Sequence, residues 1–351
     1  MNVLITGIGG PTPRSIAKRI RDTNPEYKII GIDSNPKALG FYMPGLVDLS
    51  KVAPRVSDPA YWSFIESLID RENIDMAFVQ PEKEVIAWGN YYNDKGKYPC
   101  PVLIPPVELA IPLIDKSLMS DVLEDTEYIP KTLTIDHNNT KLEQIEKEIG
   151  YPCWIRANQG SGGLGSLKIT SSNSLKPWLY VHSDIPEFTV SEFLPGRHLA
   201  NQMLYIHGEY VKGAALECVE YVMASIAPSK VTGNTSYGRF LNEDNFLSYC
   251  DDVIRYMCKK LQVKPHGVFS FDLKEDHQGQ SKVTEINIRH MAYTGIMAKV
   301  GFDLISDTIT FLSEGPENIV RDTNFQYEKP FAFLRDVDIE PIILDDRDLL
   351  T

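Results

Sequence analysis

Residues 283–289, VTEINIR, alternate polar with branched apolar side chains. A strand has a side-chain period of two, so Glu285, Asn287 and Arg289 share one face while Ile286 and Ile288 enter a core on the other. A carboxylate, an amide oxygen and a guanidinium on one surface suit a divalent cation bridged to phosphate groups. Upstream, residues 269–273, FSFDL, predict a neighbouring strand whose Asp272 adds a second hard oxygen donor. A surface ladder with a cross-strand ion pair would use the same residue types, so the choice falls to the rest of the chain.

A chain of 351 residues with 43% hydrophobic and 24% charged residues has the composition of an ordinary globular protein of two or three domains. Its 35 basic and 48 acidic residues leave a net charge of −13. That balance argues against a nucleic-acid-binding or anionic-membrane surface and confines any phosphate binding to a local pocket. No apolar run approaches the ~20 residues that span a bilayer, and Met1 leads into a strand pattern and not a leader pattern; a cytoplasmic protein is expected. The five cysteines form no CxxC pair, which predicts neither a disulfide framework nor a zinc site. Cys250 and Cys258 fall on the apolar face of a helix predicted over 242–261, with Val253, Ile254, Met257 and Leu261.

The first third alternates strand and helix. A strand over 2–6, the turn Gly7-Ile8-Gly9-Gly10-Pro11-Thr12, a helix over 14–22 and a strand over 28–32 ending at Asp33 resemble the opening of a dinucleotide-binding fold, with Thr12 at the third glycine position. A helix over 60–71 and strands over 75–80 and 102–104 extend this to an open parallel sheet. Glu82 and Glu84 follow the carboxyl end of a strand, where such sheets place ligands. They read as the solvated first turn of a helix, where acids suit the dipole. An NAD(P)-dependent oxidoreductase built on Gly7, Gly9 and Asp33 is the competing reading.

Pro105, Pro106 and Pro112 predict a domain boundary, followed by a helix from Lys116 to about residue 124. A strand ending in Arg156 runs into Gly160, Ser161, Gly162, Gly163, Leu164 and Gly165. Such a glycine hairpin can close its bare N–H groups over phosphate oxygens, with Arg156 beneath as a charged donor. Residues 188–196 predict a strand that stops at Glu192-Phe193-Leu194-Pro195-Gly196. Its backbone there can meet the edge of an adenine while Phe193 and Leu194 wall it. Near the end, runs at 330–334 and 340–344 predict two strands packing on the body.

Taken in order, Asp115-Lys116, Pro152 to Arg156 with its hairpin, Glu192 to Gly196, Asp272 and Glu285 to Arg289 resemble the ATP-grasp superfamily over residues 1 to about 305. More closely, they resemble the synthetase halves of the carbamoyl-phosphate synthetase large subunit and related ATP-grasp carboxylate–amine ligases. The resemblance implies an α/β protein, α+β in its C-terminal part. A Rossmann-like pre-ATP-grasp domain would span 1–112, a small lobe with the hairpin 113–200, a large lobe with the metal site 201–323 and the C-terminal strands 324–351. It implies that Lys116 and Arg156 contact the phosphates of ATP, that Gly160, Ser161, Gly162, Gly163 and Gly165 cover them, and that Glu192, Phe193 and Leu194 hold adenine. His198 stands where the family often has a ribose-binding acid. Asp272, Glu285 and Asn287 would bind Mg2+ or Mn2+, and Arg289 would face the transferred phosphoryl group, making Arg289 and Arg156 the catalytic pair.

The implied activity is ATP-dependent ligation of a small-molecule carboxylate to an amine, with no nucleic-acid or membrane partner and with a homodimer compatible. Phosphorylation of bicarbonate or carbamate is the alternative. It is weakened because Lys230 and Val231 precede Thr232 where carbamoyl-phosphate synthetases carry a histidine, and because the chain holds one ATP-grasp unit. Which of Glu82, Lys230, Arg239 or Tyr293 meets substrate is left open by the sequence.

Overall fold

The computed structural model describes residues 1–160, 162–336, 342–345 and 347. Strands β1 (Asn2–Thr6), β2 (Lys28–Asp33), β3 (Leu49–Val52) and β4 (Met76–Phe78) form a parallel sheet in the order β3-β2-β1-β4. Val3, Leu4 and Ile5 are fully buried, as a parallel strand covered on both faces must be. The strand expected over 102–104 is reduced to one parallel bridge between Val102 and Ala77. Prolines at 101, 105 and 106 remove the N–H donors a longer ladder would need. The helix Pro11–Thr23 starts three residues earlier than expected, because Pro11 at its first position has a preset φ and no N–H to satisfy.

The proline cluster does not behave as a linker. Val107–Ile114 is a helix with Pro112 inside it, and Val107, Leu109, Ala110 and Leu113 are buried. Leu109, Ala110 and Leu113 belong to a core shared with Met203 and Phe269 of the C-terminal half, so tertiary burial outweighs the hydrogen bond lost at Pro112.

Strands β5 (Thr132–Asp136), β6 (Cys153–Ala157), β7 (Leu167–Ile169) and β8 (Glu187–Glu192) make a second, antiparallel sheet ordered β5-β8-β6-β7. It closes its own core around Ile155, Phe188, Val190 and Leu175. The third sheet is antiparallel and holds β9 (His198–Ile206), β10 (Glu209–Tyr221), β11 (Thr235–Leu241), β12 (Gly267–Glu275), β13 (Ser281–Asn287), β14 (Phe331–Leu334) and β15 (Ile342–Asp345), ordered β13-β12-β9-β10-β11-β14-β15. The two tail strands lengthen this sheet beyond β11; the expected residues 340 and 341 lie outside the described residues.

The amphipathic helix Asp244–Leu261 covers one face of the third sheet, packing Val253, Ile254 and Met257 with Phe271, Leu273 and Ile286. The other face carries Ile296, Met297 and Phe302, and there the N-terminal unit docks: the Gly295 N–H donates to Ser15 Oγ at 3.1 Å. All five cysteines are free and buried.

Candidate active site

Antiparallel register sets Asp272 opposite Glu285 and Ser270 opposite Asn287. Ile286 and Ile288 are 1% and 2% exposed in the core, so the alternation turns Glu285, Asn287 and Arg289 to the other face. Asn287 Nδ2 donates to Asp272 Oδ2 at 3.3 Å. On the far side of Asp272, His198 Nε2 lies 3.2 Å from Oδ1, and the Tyr221 hydroxyl meets His198 Nδ1. Nucleotide contact is the expectation for His198; in this structure its ring is held between Tyr221 and Asp272 and orients that carboxylate. Two carboxylates and a carboxamide are hard oxygen donors that fit Mg2+ or Mn2+. Among the described residues no three His, Cys, Asp or Glu side chains form a cluster of their own.

Cations reach this face from three directions. Asp115 caps the helix Lys116–Leu123, accepting from the N–H groups of Ser117 and Leu118 at 3.0 and 3.2 Å. That cap aims Lys116 inward: Nζ donates to the carbonyls of Asn158 at 3.4 Å and Gly160 at 3.3 Å and stands 3.9 Å from Glu285 Oε2. Burial lowers the Lys116 pKa, and the nearby Arg156 charge adds to this while Glu285 opposes it. Arg156 crosses from the second sheet to the third, donating to the Thr284 carbonyl at 2.6 Å. Burial lowers its pKa too, against the fields of Glu285 and Asp272. Arg289 lies 3.3 Å from Glu82 Oε1. Glu82 does stand in the first turn of the helix Glu82–Lys95, as expected, and is in addition paired with the polar strand.

The hairpin needs its glycines. Gly160, Gly162, Gly163 and Gly165 all have positive φ, where a Cβ is strained. Gly163 also packs so closely that a Cβ would overlap the Val231 carbonyl, and one at Gly233 would lie 2.9 Å from Gly162 Cα. The hairpin is thus folded onto the loop between β10 and β11, which contains Lys230. Ser161, expected to join it, lies outside the described residues. At the base, Asp115 accepts from Asn158 Nδ2 at 3.1 Å and Gln159 Nε2 at 2.7 Å, pinning hairpin and lysine together. Behind it Phe193 sits under Lys168 Nζ at 4.0 Å and beside Trp154, and Leu194 is buried. The Glu192 carboxylate accepts from the Lys131 N–H at 3.1 Å, which leaves the backbone beyond it as the groups able to meet a base edge.

The oxidoreductase reading meets a steric objection. The Gly9 N–H, which would face a pyrophosphate, donates to Asp33 Oδ2 at 2.9 Å. A Cβ on Gly9 would lie 2.9 Å from the Ala38 Cβ, and Gly40 lies against the Ile8 carbonyl. The segment 38–40 packs directly on the glycine turn.

No protein-family model matches the sequence, and no curated protein resembles it at the sequence level. Solved structures do resemble it in three dimensions. N5-carboxyaminoimidazole synthetase from Staphylococcus aureus, complexed with ADP, superposes with a TM-score of 0.71 at 12% identity, covering 95% of this chain and 81% of that one. Biotin carboxylase from Campylobacter jejuni gives 0.68 at 16% identity, covering 95% and 75%. L-amino acid ligase from Bacillus licheniformis gives 0.67 at 12%, covering 95% and 79%. These are ATP-grasp enzymes.

The chain has the ATP-grasp fold. Lys116 nears Glu285 and Arg156 bonds the Thr284 carbonyl, so the second sheet meets the third at the strand that carries Glu285 and Asn287. Of the four residues left open, Glu82 meets Arg289, while Tyr293 is buried in the core against Phe333. Arg239 instead bonds Tyr237 Oη at 2.7 Å and stands 3.9 Å from Glu217. Tyr221 gave no sequence signal, because only the fold brings it to His198. Among the described residues no helix is long and apolar enough to cross a membrane.

Proposed function

We propose that the chain is an ATP-dependent ligase that activates a substrate carboxylate as an acyl phosphate and couples it to an amine. One observation carries this reading: Lys116 Nζ stands between the hairpin carbonyls and Glu285, so a phosphate-covering loop, a buried cation and a hard-oxygen face meet at one place. Arg156 and Lys116 would hold phosphate oxygens beneath the closed hairpin. Mg2+ bound by Asp272, Glu285 and Asn287 would shield the charge that builds on those oxygens. Arg289, oriented by Glu82, would hold the transferred phosphoryl group. A carboxylate oxygen attacks the γ-phosphorus to give acyl phosphate and ADP. The amine then attacks the acyl carbon, phosphate leaves and the nitrogen loses a proton. No covalent nucleophile is needed; positioning and fixed charge supply the catalysis.

Similar folds have been solved with ADP, and a biotin carboxylase domain of Hydrogenobacter thermophilus 2-oxoglutarate carboxylase with MgADP and bicarbonate. The test is ADP release with pooled carboxylates and amines, with bicarbonate as a separate arm. Turnover stimulated by a carboxylate–amine pair is the expected result, and stimulation by bicarbonate alone would replace the carboxylate. Absence of both turnover and ATP binding would overturn the reading. The double variant Glu285→Gln, Asn287→Ala should lose turnover while keeping its melting temperature.

A further inference from the structure

Four adjacent strands of the third sheet each place one polar side chain in a single hydrogen-bonded row. The strands stand in the order β13-β12-β9-β10, and the row runs Asn287, Asp272, His198, Tyr221 in the same order. Asn287 Nδ2 donates to Asp272 Oδ2 at 3.3 Å, His198 Nε2 lies 3.2 Å from Asp272 Oδ1, and the Tyr221 hydroxyl meets His198 Nδ1. The reaction above uses the first two residues and gives Tyr221 no task.

Tyr221 reaches the row through an irregularity in its strand. Leu216 and Cys218 share a core with Ala200, which lies two residues from His198 and on its face. Strict alternation along β10 would turn Glu220 to that face and Tyr221 to the other. The pairing with β11 instead slips between Cys218 and Glu220, and again between Glu220 and Tyr221. A bulge re-aims the side chains beyond it, and this one brings the phenol to His198. The next N–H, of Val222, donates to the Asn234 carbonyl at 2.7 Å and holds the backbone there.

The row has a direction. A carboxylate only accepts, so the His198 nitrogen beside Asp272, Nε2, carries the ring proton. In the neutral ring Nδ1 is then an acceptor, and the Tyr221 hydroxyl is its donor. Tyr221 thereby selects the tautomer that keeps an N–H on Asp272; without a donor at Nδ1 the proton is free to move there, leaving a bare Nε2 against a carboxylate oxygen. At the other end, Asn287 turns its NH2 group to Asp272, so its amide presents Oδ1 on the opposite side as the oxygen left for a cation.

We propose that Tyr221 and His198 are positioning residues for the divalent cation: Tyr221 sets the His198 tautomer, His198 fixes the Asp272 carboxylate, and Asp272 fixes the Asn287 amide with its oxygen toward the metal. This rests on the assignment of Asp272, Glu285 and Asn287 to the metal made above. Neither Tyr221 nor His198 would itself be a ligand.

Two readouts on the full chain test this, both without nucleotide and above the ordinary imidazole pKa range. One is Mn2+ binding, followed by loss of the free-ion electron paramagnetic resonance signal. The other is nitrogen NMR of ring-labelled histidine, with the His198 signals identified by their loss in His198→Ala. Wild type should carry the His198 proton at Nε2, and Tyr221→Phe should move a measurable share of it to Nδ1. Tyr221→Phe and His198→Ala should each weaken Mn2+ binding about 10- to 100-fold, the range for removing a group that orients a metal ligand. The double variant should bind no more weakly than His198→Ala, because Tyr221 acts only through the ring. His198→Gln, which keeps an N–H near the Nε2 position, should recover most of the affinity lost in His198→Ala, and it carries the test if Tyr221→Phe fails to fold. An unchanged tautomer in Tyr221→Phe, unchanged Mn2+ affinity in both single variants, additive losses in the double variant, or equal weakening by His198→Gln and His198→Ala would overturn the proposal. Failure of wild type to bind Mn2+ would count against the metal assignment instead, and the tautomer in Tyr221→Phe would then decide whether the row holds.

Discussion

Substituting Gly163 by Ala separates the hairpin's closure from its backbone strain, because the chain supplies a matched control. Gly163 and Gly279 have φ of +75° and +77°, so an alanine at either incurs the same left-handed penalty of about 1 kcal/mol. Nothing lies within 4 Å of a Cβ at Gly279, whereas at Gly163 the Cβ overlaps the carbonyl of Val231. To relieve that overlap the hairpin and the β10–β11 loop must part by on the order of 1 Å, a displacement able to cost about 100-fold in a positioned reaction. The core of the second sheet around Phe188 and Ile155 does not depend on the contact. Both variants should therefore lose similar, small amounts of stability in urea. MgADP affinity, followed by calorimetry, should fall about tenfold or more in Gly163→Ala alone, because the hairpin N–H groups no longer reach the phosphates. Equal affinity in the two variants would refute the argument that this closed hairpin binds the nucleotide.

Two further outcomes follow from buried charges. Burial raises the Glu84 pKa from its ordinary 4.5 to about 7, beside Tyr61, whose hydroxyl lies 3.2 Å away. A folded pKa above the unfolded one means the stabilising effect of protonation is complete below pH 4.5 and is lost as pH rises through 7. The unfolding free energy of wild type in urea should fall relative to Glu84→Gln across this window by roughly 1 to 3 kcal/mol, and parallel curves would count against the burial argument. Lys116 is shifted the other way, so the folded state carries a burial cost at neutral pH that is relieved only as pH climbs toward 10.5. Lys116→Met should melt no lower than wild type at pH 7.5 while binding MgADP more weakly. A variant that melts lower with unchanged affinity would make this lysine a structural residue.

Much of the fold and of the polar strand was legible because its signals are local. The two-residue alternation from Val283 to Arg289 assigns faces without reference to any other segment, and the apolar period over 244–261 does the same for the helix beneath. Four glycines at positive φ mark the hairpin because no other residue adopts that backbone cheaply. Signals that depend on context misled. Pro112 reads as punctuation, yet it sits inside a helix held by the core it enters. Glu82 reads correctly as a helix-start acid, but its pairing with Arg289 depends on packing that no local signal carries.

The sequence by itself determined the polar strand, the glycine hairpin, the amphipathic helix and the chemistry of their faces, since side-chain period, glycine backbone freedom and charge are properties of neighbouring residues. Tertiary structure alone decided which faces meet. Arg156 reaches the Thr284 carbonyl across 128 residues, Lys116 nears Glu285 from the start of a helix, and Gly295 bonds Ser15 from the opposite end of the chain. Contacts over such separations are fixed by how three sheets pack around shared cores, and no local pattern in the chain encodes that packing.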